Sequence, residues 1–333
     1  MVVAFHYLYR GQRPGWIASH APAALENVAS YGFLGVNLFF MISGFVVFMS
    51  AENSTVRSFA ASRAARLYPA FWIAAPLTAL IAWKFDSPYF QTDPLTLAAN
   101  LTMAPHWFGF AFVDGAYWSI AVELHFYIAI GIVLAAGWMK RAQWLVLGWL
   151  VVSLIYAVRP IYFLDLWLNA RWAPYFCAGI CAYLIRTRDP SRLRIGLFAA
   201  AYVLALVDSL NPFFRRETPD MSAQSPWVVG LSVTAFHAIF LAIAFNKWRI
   251  RASRLTSWAG RSTYSVYLLH QNIGYVLLAA LAPLVQSFTL RLVVVVVTIA
   301  CATWVVVRFV EEPLGHRVKS LIGPQRPRRR PPT

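Results

Sequence analysis

WSIAVELHFY, residues 118–127, is an apolar and aromatic run interrupted by Glu123 and His125, and its solvent decides the fold. In water such a run is a buried strand or core helix; in a bilayer it is part of a spanning helix, and a carboxylate inside it is expensive. Composition settles the choice. Of the 333 residues, 59% are hydrophobic and 13% charged, and mean hydropathy is +0.57, whereas soluble domains carry roughly 25% charged residues. The chain is predicted to be an all-α integral membrane protein. Cys177, Cys181 and Cys301 all fall in apolar stretches, which excludes a disulfide-stapled secreted fold.

Working outward from 118–127, stretches long enough to cross a bilayer core of about 30 Å are predicted at 33–50, 68–85, 116–138, 143–158, 172–186, 194–210, 226–246, 262–286 and 288–310. MVVAFHYLY, ahead of Arg10, looks like the end of one further span, since nine helical residues cover only about 14 Å. It has no basic n-region and no small-residue cleavage site, so it is unlike a signal peptide. The expectation is a bundle of about ten transmembrane helices with the first cut short, and with further residues encoded upstream.

Most of the 29 Lys and Arg fall on alternate connections: Arg57, Arg63 and Arg66; Lys140 and Arg141; Arg186 to Arg194; Lys247 to Arg261; and Arg308 onward. The positive-inside rule makes that side cytoplasmic. The net charge of +16 is then largely a topology signal and gives no reason to expect a nucleic-acid partner. The tail RPRRRPPT is either a solvated end or a contact to anionic headgroups.

With this orientation Glu123 lies roughly 10 Å in from the outer end of its span, where a charge costs at least ~2.5–3.5 kcal/mol. It is predicted to face a cavity or a partner; the competing reading is a carboxylate that only locks helices together. His125 is about 200° around the helix and points away, as a packing histidine, whereas Tyr127, at i+4, shares the Glu123 face. Asn37, in the outer part of GVNLFFMISGF (35–45), Ser43 near its middle, and His6 are candidates for the same cavity. An imidazole suits proton transfer from a hydroxyl, and a nearby carboxylate can orient it. In SRAARLYPAFW (62–72), Arg63 and Arg66 share a helix face at the cytoplasmic surface, and Pro69 is predicted to mark where a new helix enters the bilayer. Such a pair suits an anionic phosphate, or is ordinary topogenic arginine.

Taken in order, GVNLFFMISGF, SRAARLYPAFW, DGAYWSIAVELHFY, STYSVYLLHQ and VRFVEEPLGH resemble the membrane acyltransferase family 3 over essentially the whole chain. The resemblance implies a ten-helix bacterial inner-membrane protein with a cytoplasmic C-terminus. It implies a transmembrane domain over 1–318 and a basic tail over 319–333. It also implies transfer of an acyl group, commonly acetyl, from an acyl-CoA to a hydroxyl of a surface glycan or secondary metabolite, with no bound cofactor. By the same resemblance His6 is the functional histidine, Arg63 and Arg66 the donor-binding element, and Glu123 the buried glutamate. His270 recurs in relatives and is explained by packing as well as by catalysis. Two departures stand out. The chain starts too late to hold the arginine that relatives carry about eleven residues before the histidine, and Asn37 stands where many have Asp. His6 acting as a base on the acceptor, with Glu123 orienting the site, is the expected mechanism, and an acyl-histidine intermediate is the alternative. No metal motif, nucleophile elbow or P-loop occurs. A glycan or lipid-linked substrate transporter or flippase is the competing class, since mid-membrane polar residues also mark transport pathways.

Overall fold

The computed structural model describes residues 1–12, 15–17, 21–188, 190–211, 224–247 and 253–323. Arg249, Arg251 and the tail from 324 onward, used in reading the topology, lie outside these. Among the described residues all regular structure is helical: α1 Val2–Leu8, α2 Ala23–Ala29, α3 Leu34–Glu52, α4 Val56–Lys84, α5 Pro94–Asn100, α6 Tyr117–Ala135, α7 Ala142–Val158, α8 Tyr162–Leu168, α9 Ala173–Thr187, α10 Arg192–Leu210, α11 Pro226–Ala244, α12 Arg254–Leu269, α13 Gln271–Ala280, α14 Phe288–Val306 and α15 Glu312–Ile322. A π-helical turn, Val307–Glu311, joins α14 to α15.

Among the described residues, seven helical stretches are long and apolar enough to cross a membrane: Ala23–Glu52, Val56–Lys84, Tyr117–Ala135, Trp138–Val158, Arg192–Leu210, Pro226–Ala244 and Phe288–Ile322. The predicted spans at 172–186 and 262–286 take other forms. The first is α9, only 15 residues long, and every residue from Ala173 to Ile185 is buried. It is the axis of the bundle, surrounded by protein on all sides. The second is interrupted at His270, where α12 ends and α13 begins. The outward surface is apolar instead, with Leu231, Ile132 and Val297 exposed along their helices and Trp83, Trp138 and Trp227 near helix ends, as lipid contact requires.

Pro69 does not mark a boundary. α4 runs through both Pro69 and Pro76, so Arg63 and Arg66 lie inside it. Pro69 frees the carbonyl of Ala65 from the helix ladder. α15 packs on α4 at that point, with Gly315 so placed that an added Cβ would lie 3.1 Å from the Ala65 oxygen. Side-chain caps fix the helix starts, Thr55 for α4, Ser191 for α10 and Ser253 for α12.

The crossing of α3 and α9 positions the centre. A Cβ on Gly44 would lie 2.2 Å from the Phe176 carbonyl oxygen, and one on Gly179 would lie 2.1 Å from that of Met41. Only glycine at both positions lets the backbones meet, the small-residue contact that drives helix association in lipid. Ser43, next to Gly44, is thereby brought against α6. Phe126 and Phe176 stack beside the crossing with ring centroids 4.2 Å apart.

Candidate active site

Glu123 is 5% exposed. Its Oε1 accepts the Tyr127 hydroxyl at 2.7 Å and the Ser43 hydroxyl, from α3, at 2.9 Å. A carboxylate at this depth is tolerable because hydroxyl donors from two helices replace water. One turn further along α6, the Tyr127 ring carries the Arg63 guanidinium on its face, 5.4 Å from the centroid. Arg63 also donates to the hydroxyls of Ser50 at 3.3 Å and Ser62 at 3.1 Å, while its Nε is buried without a partner.

One turn before Glu123 on α6, Ser119 Oγ lies 2.6 Å from the Tyr267 hydroxyl on α12. The Tyr267 carbonyl accepts His270 Nδ1–H at 2.8 Å, so the neutral His270 ring carries its proton there, and its Nε2 is buried without a partner. The His270 ring meets that of His6 edge to face, centroids 5.0 Å apart. His6 Nδ1 is 2.7 Å from the Tyr275 hydroxyl on α13, and Tyr7 donates to the His270 carbonyl. A Cβ on Gly274 would lie 2.1 Å from that Tyr7 oxygen, so glycine is what admits α1 against α13.

Ser119, Glu123 and Tyr127 stand at i, i+4 and i+8 of α6, one stripe about 12 Å long. The bundle thus contains a polar column, from Arg63 through Tyr127, Glu123, Ser43 and Ser119 to Tyr267, His270 and His6. Glu123 and His6 belong to one column without touching. Asn37 stands apart from it, buried on the α3, α9 and α10 seam beside the Tyr175 hydroxyl, which is 2.7 Å from Ser209.

Arg66 turns to the other side of α4. It forms an ion pair with Glu311 of the π-helical turn and donates to the carbonyls of Arg261 at 3.2 Å and Gly260 at 3.4 Å. The second Glu311 oxygen accepts the Ser265 hydroxyl at 2.8 Å.

The opposite face of α6 lines an open apolar cavity of ≈ 200 Å³ whose walls include Phe48, His125, Ala129, Val146, Trp149 and Ile180. His125 stacks on Trp107 at 5.1 Å, nearly parallel, and its Nδ1 is 3.3 Å from Asn169 Oδ1.

Just ahead of α6 the loop residue Asp114 is wholly buried. It accepts the N–H of Ala116 and of Asn272, each at 2.8 Å, tying the head of α6 to the start of α13. Burial pushes its carboxyl up to about 7, against the pull of those two N–H donors. Gly115 permits the junction, since a Cβ there would lie 2.3 Å from Gln271 Nε2.

Fold and site together define a multi-pass helical membrane protein with acid/base groups arranged through its bundle. The family model described as an acyltransferase domain matches residues 1–307, and the chain belongs to that family and is a membrane acyltransferase. Among curated relatives it is 22% identical over 289 residues to "Putative acetyltransferase ORF330" of Acidianus two-tailed virus, covering 80% of this chain and 78% of that one. It is 28% identical over 267 residues to the exopolysaccharide production protein ExoZ of Rhizobium meliloti (strain 1021), covering 75% and 79%. No solved structure gives a significant match.

Ser119, Tyr267, Tyr275 and Glu311, with Asp114 and Ser265 behind them, are not singled out in the sequence analysis. Ser119 has a signal in the sequence, the i, i+4, i+8 stripe it makes with Glu123 and Tyr127. Glu311 lies in the VRFVEEPLGH motif, but its partner, like that of Tyr275, is more than 240 positions away along the chain, so spacing names neither contact.

Proposed function

We propose that this acyltransferase moves an acyl group, acetyl by the name of one relative, from a cytoplasmic acyl-CoA to a hydroxyl of an exported glycan. The polar column carries the reading. It links a guanidinium at the cytoplasmic end of α4 to an imidazole at the outer end of the bundle, the arrangement needed when donor and acceptor arrive from opposite sides. The production of an exopolysaccharide named for ExoZ supports a glycan acceptor.

In this mechanism the donor's phosphates rest at the basic end of α4 and its thioester arm extends along the column. His6 with its proton on Nδ1, donated to the Tyr275 oxygen, presents Nε2 as the base. Nε2 takes the acceptor's hydroxyl proton as the oxygen attacks the thioester carbonyl. The C–S bond breaks, the acyl group stays on the acceptor oxygen, and the imidazolium returns its proton to the departing thiolate. Glu123, fixed by Ser43 and Tyr127, sets the charge and hydrogen bonding of the middle of the column.

The test is acetyl-CoA consumption by membranes containing the protein, paired with NMR of the host's surface glycans with and without the gene. Acetyl-CoA turnover with loss of an O-acetyl signal in the deletion supports the reading. Glycan export that stops without any acetyl-CoA turnover is the transporter outcome and refutes it.

A further inference from the structure

The two arginines of SRAARLYP have unlike surroundings. They are three residues apart on α4, an offset of about 60° around the helix, enough to direct one toward α6 and the other toward α12. Arg66 has its charge met by Glu311, and its remaining described bonds go to the carbonyls of Gly260 and Arg261. Glu311 is itself only 9% exposed and shares its other oxygen with Ser265. A phosphate that captured Arg66 would strip a buried carboxylate of its counter-charge, the costly way to break such a pair. The frame around it is broad. The π-helical turn that carries Glu311 leads directly into α15, which lies along α4, and Arg57 donates from α4 to the Ile322 carbonyl at the far end of α15, at 2.5 Å. Arg63 differs on each count. Among the described residues it forms no salt bridge; it donates to two serine hydroxyls, lies against Tyr127 with the Glu123 carboxyl beyond, and its buried Nε has no partner. A guanidinium that no salt bridge holds can turn its fork of donors to a phosphate without stripping a buried carboxylate of its partner.

We propose that the pair divides its work. Arg63 is the ligand for the donor's phosphates, and Arg66 is a positioning residue, anchored by Glu311 and Ser265, that fixes the rotation of α4 and so holds Arg63 over Tyr127. This rests on the acyl-CoA reading above and adds Glu311, Ser265 and the π-helical turn to the donor site as its support. It also makes Tyr127 the meeting point of donor and column, since the same ring carries Arg63 on its face and bonds Glu123 through its hydroxyl.

The test compares acetyl-CoA with acetyl-pantetheine, which has the same thioester arm and no phosphates, using the full-length purified protein. The wild type should prefer acetyl-CoA in kcat/KM by tenfold or more, on the order expected of a charge-assisted contact. Arg63→Gln should bring that preference to within about threefold of unity. Arg66→Gln and Glu311→Gln should keep the preference while lowering the unfolding temperature, and the reversed pair Arg66→Glu with Glu311→Arg should recover part of that loss. If Arg66→Gln erases the preference as Arg63→Gln does, or Glu311→Gln sharpens it by releasing Arg66, the division is overturned. Wild-type protein that consumes neither donor overturns the acyl-CoA reading and the division with it.

Discussion

The two faces of α6 handle polar groups in opposite ways. On one, Ser119, Glu123 and Tyr127 are each bonded to a neighbour, and the stripe continues into side chains of α3, α4 and α12. On the other, His125 meets the Asn169 amide through Nδ1, stacks on Trp107 and borders an apolar cavity. Both faces lie at the same depth, so depth does not decide which polar residue matters. What separates them is how far the connection runs: one face joins side chains of α3, α4, α6 and α12, whereas the contact of His125 stops at one amide beside an apolar wall.

Five substitutions test the difference between the two faces. Glu123→Gln keeps shape and one acceptor oxygen but removes the charge from the column, and should lower acyl transfer by at least ~100-fold with the protein still folded and membrane-inserted. Activity that survives while yield falls would make the carboxylate a structural lock. Tyr127→Phe keeps the ring under Arg63 and deletes the hydroxyl on Glu123, so turnover should drop roughly tenfold with donor affinity little changed. Steady-state kinetics separate the two parameters, and a matched rise in donor KM would show that ring and hydroxyl act as one.

Asp114, at the head of α6 where both faces begin, titrates with folding. Its carboxyl is raised to about 7 by burial, so ionising it opposes the fold. Its contribution to stability is complete below the unfolded pKa of about 4 and is lost as pH rises toward 7. Asp114→Asn removes the titration. Thermal melts across that window should slope downward for the wild type and less steeply for the variant, and equal slopes would place the pH dependence elsewhere.

On the cavity face, Ala129→Phe should fill empty apolar volume and raise stability by about 1 kcal/mol with transfer unchanged. A fall in melting temperature would mean that the space is needed. His125→Leu should be the mildest, within about threefold of wild type in transfer rate; a loss rivalling that of Glu123→Gln would put the second face into the chemistry as well.

Much of the column is legible in the sequence because α6 displays it locally. The 118–127 run names Glu123 and Tyr127 by helical spacing and sets His125 aside by the same rule, and each lies on the predicted face. Ser43 is legible more weakly, as a hydroxyl at matching depth on another span. Asn37, equally polar and on the same helix, is carried by the turn of α3 to the α9 and α10 seam, which depth alone does not reveal.

The sequence by itself determined the solvent, the helical class and the family, because these follow from composition, from residue spacing within single helices, and from short motifs in order. Tertiary structure alone decided that α9 is the buried axis and not an ordinary lipid-facing span, that α4 continues through Pro69, and that Arg66 meets Glu311 while Arg63 does not. The physical reason is common to all three. Helical periodicity tells which residues share a face, but which face meets protein and which meets lipid is set by the packing of several helices at once, through contacts such as Gly44 on Gly179 whose partners lie far apart in the chain.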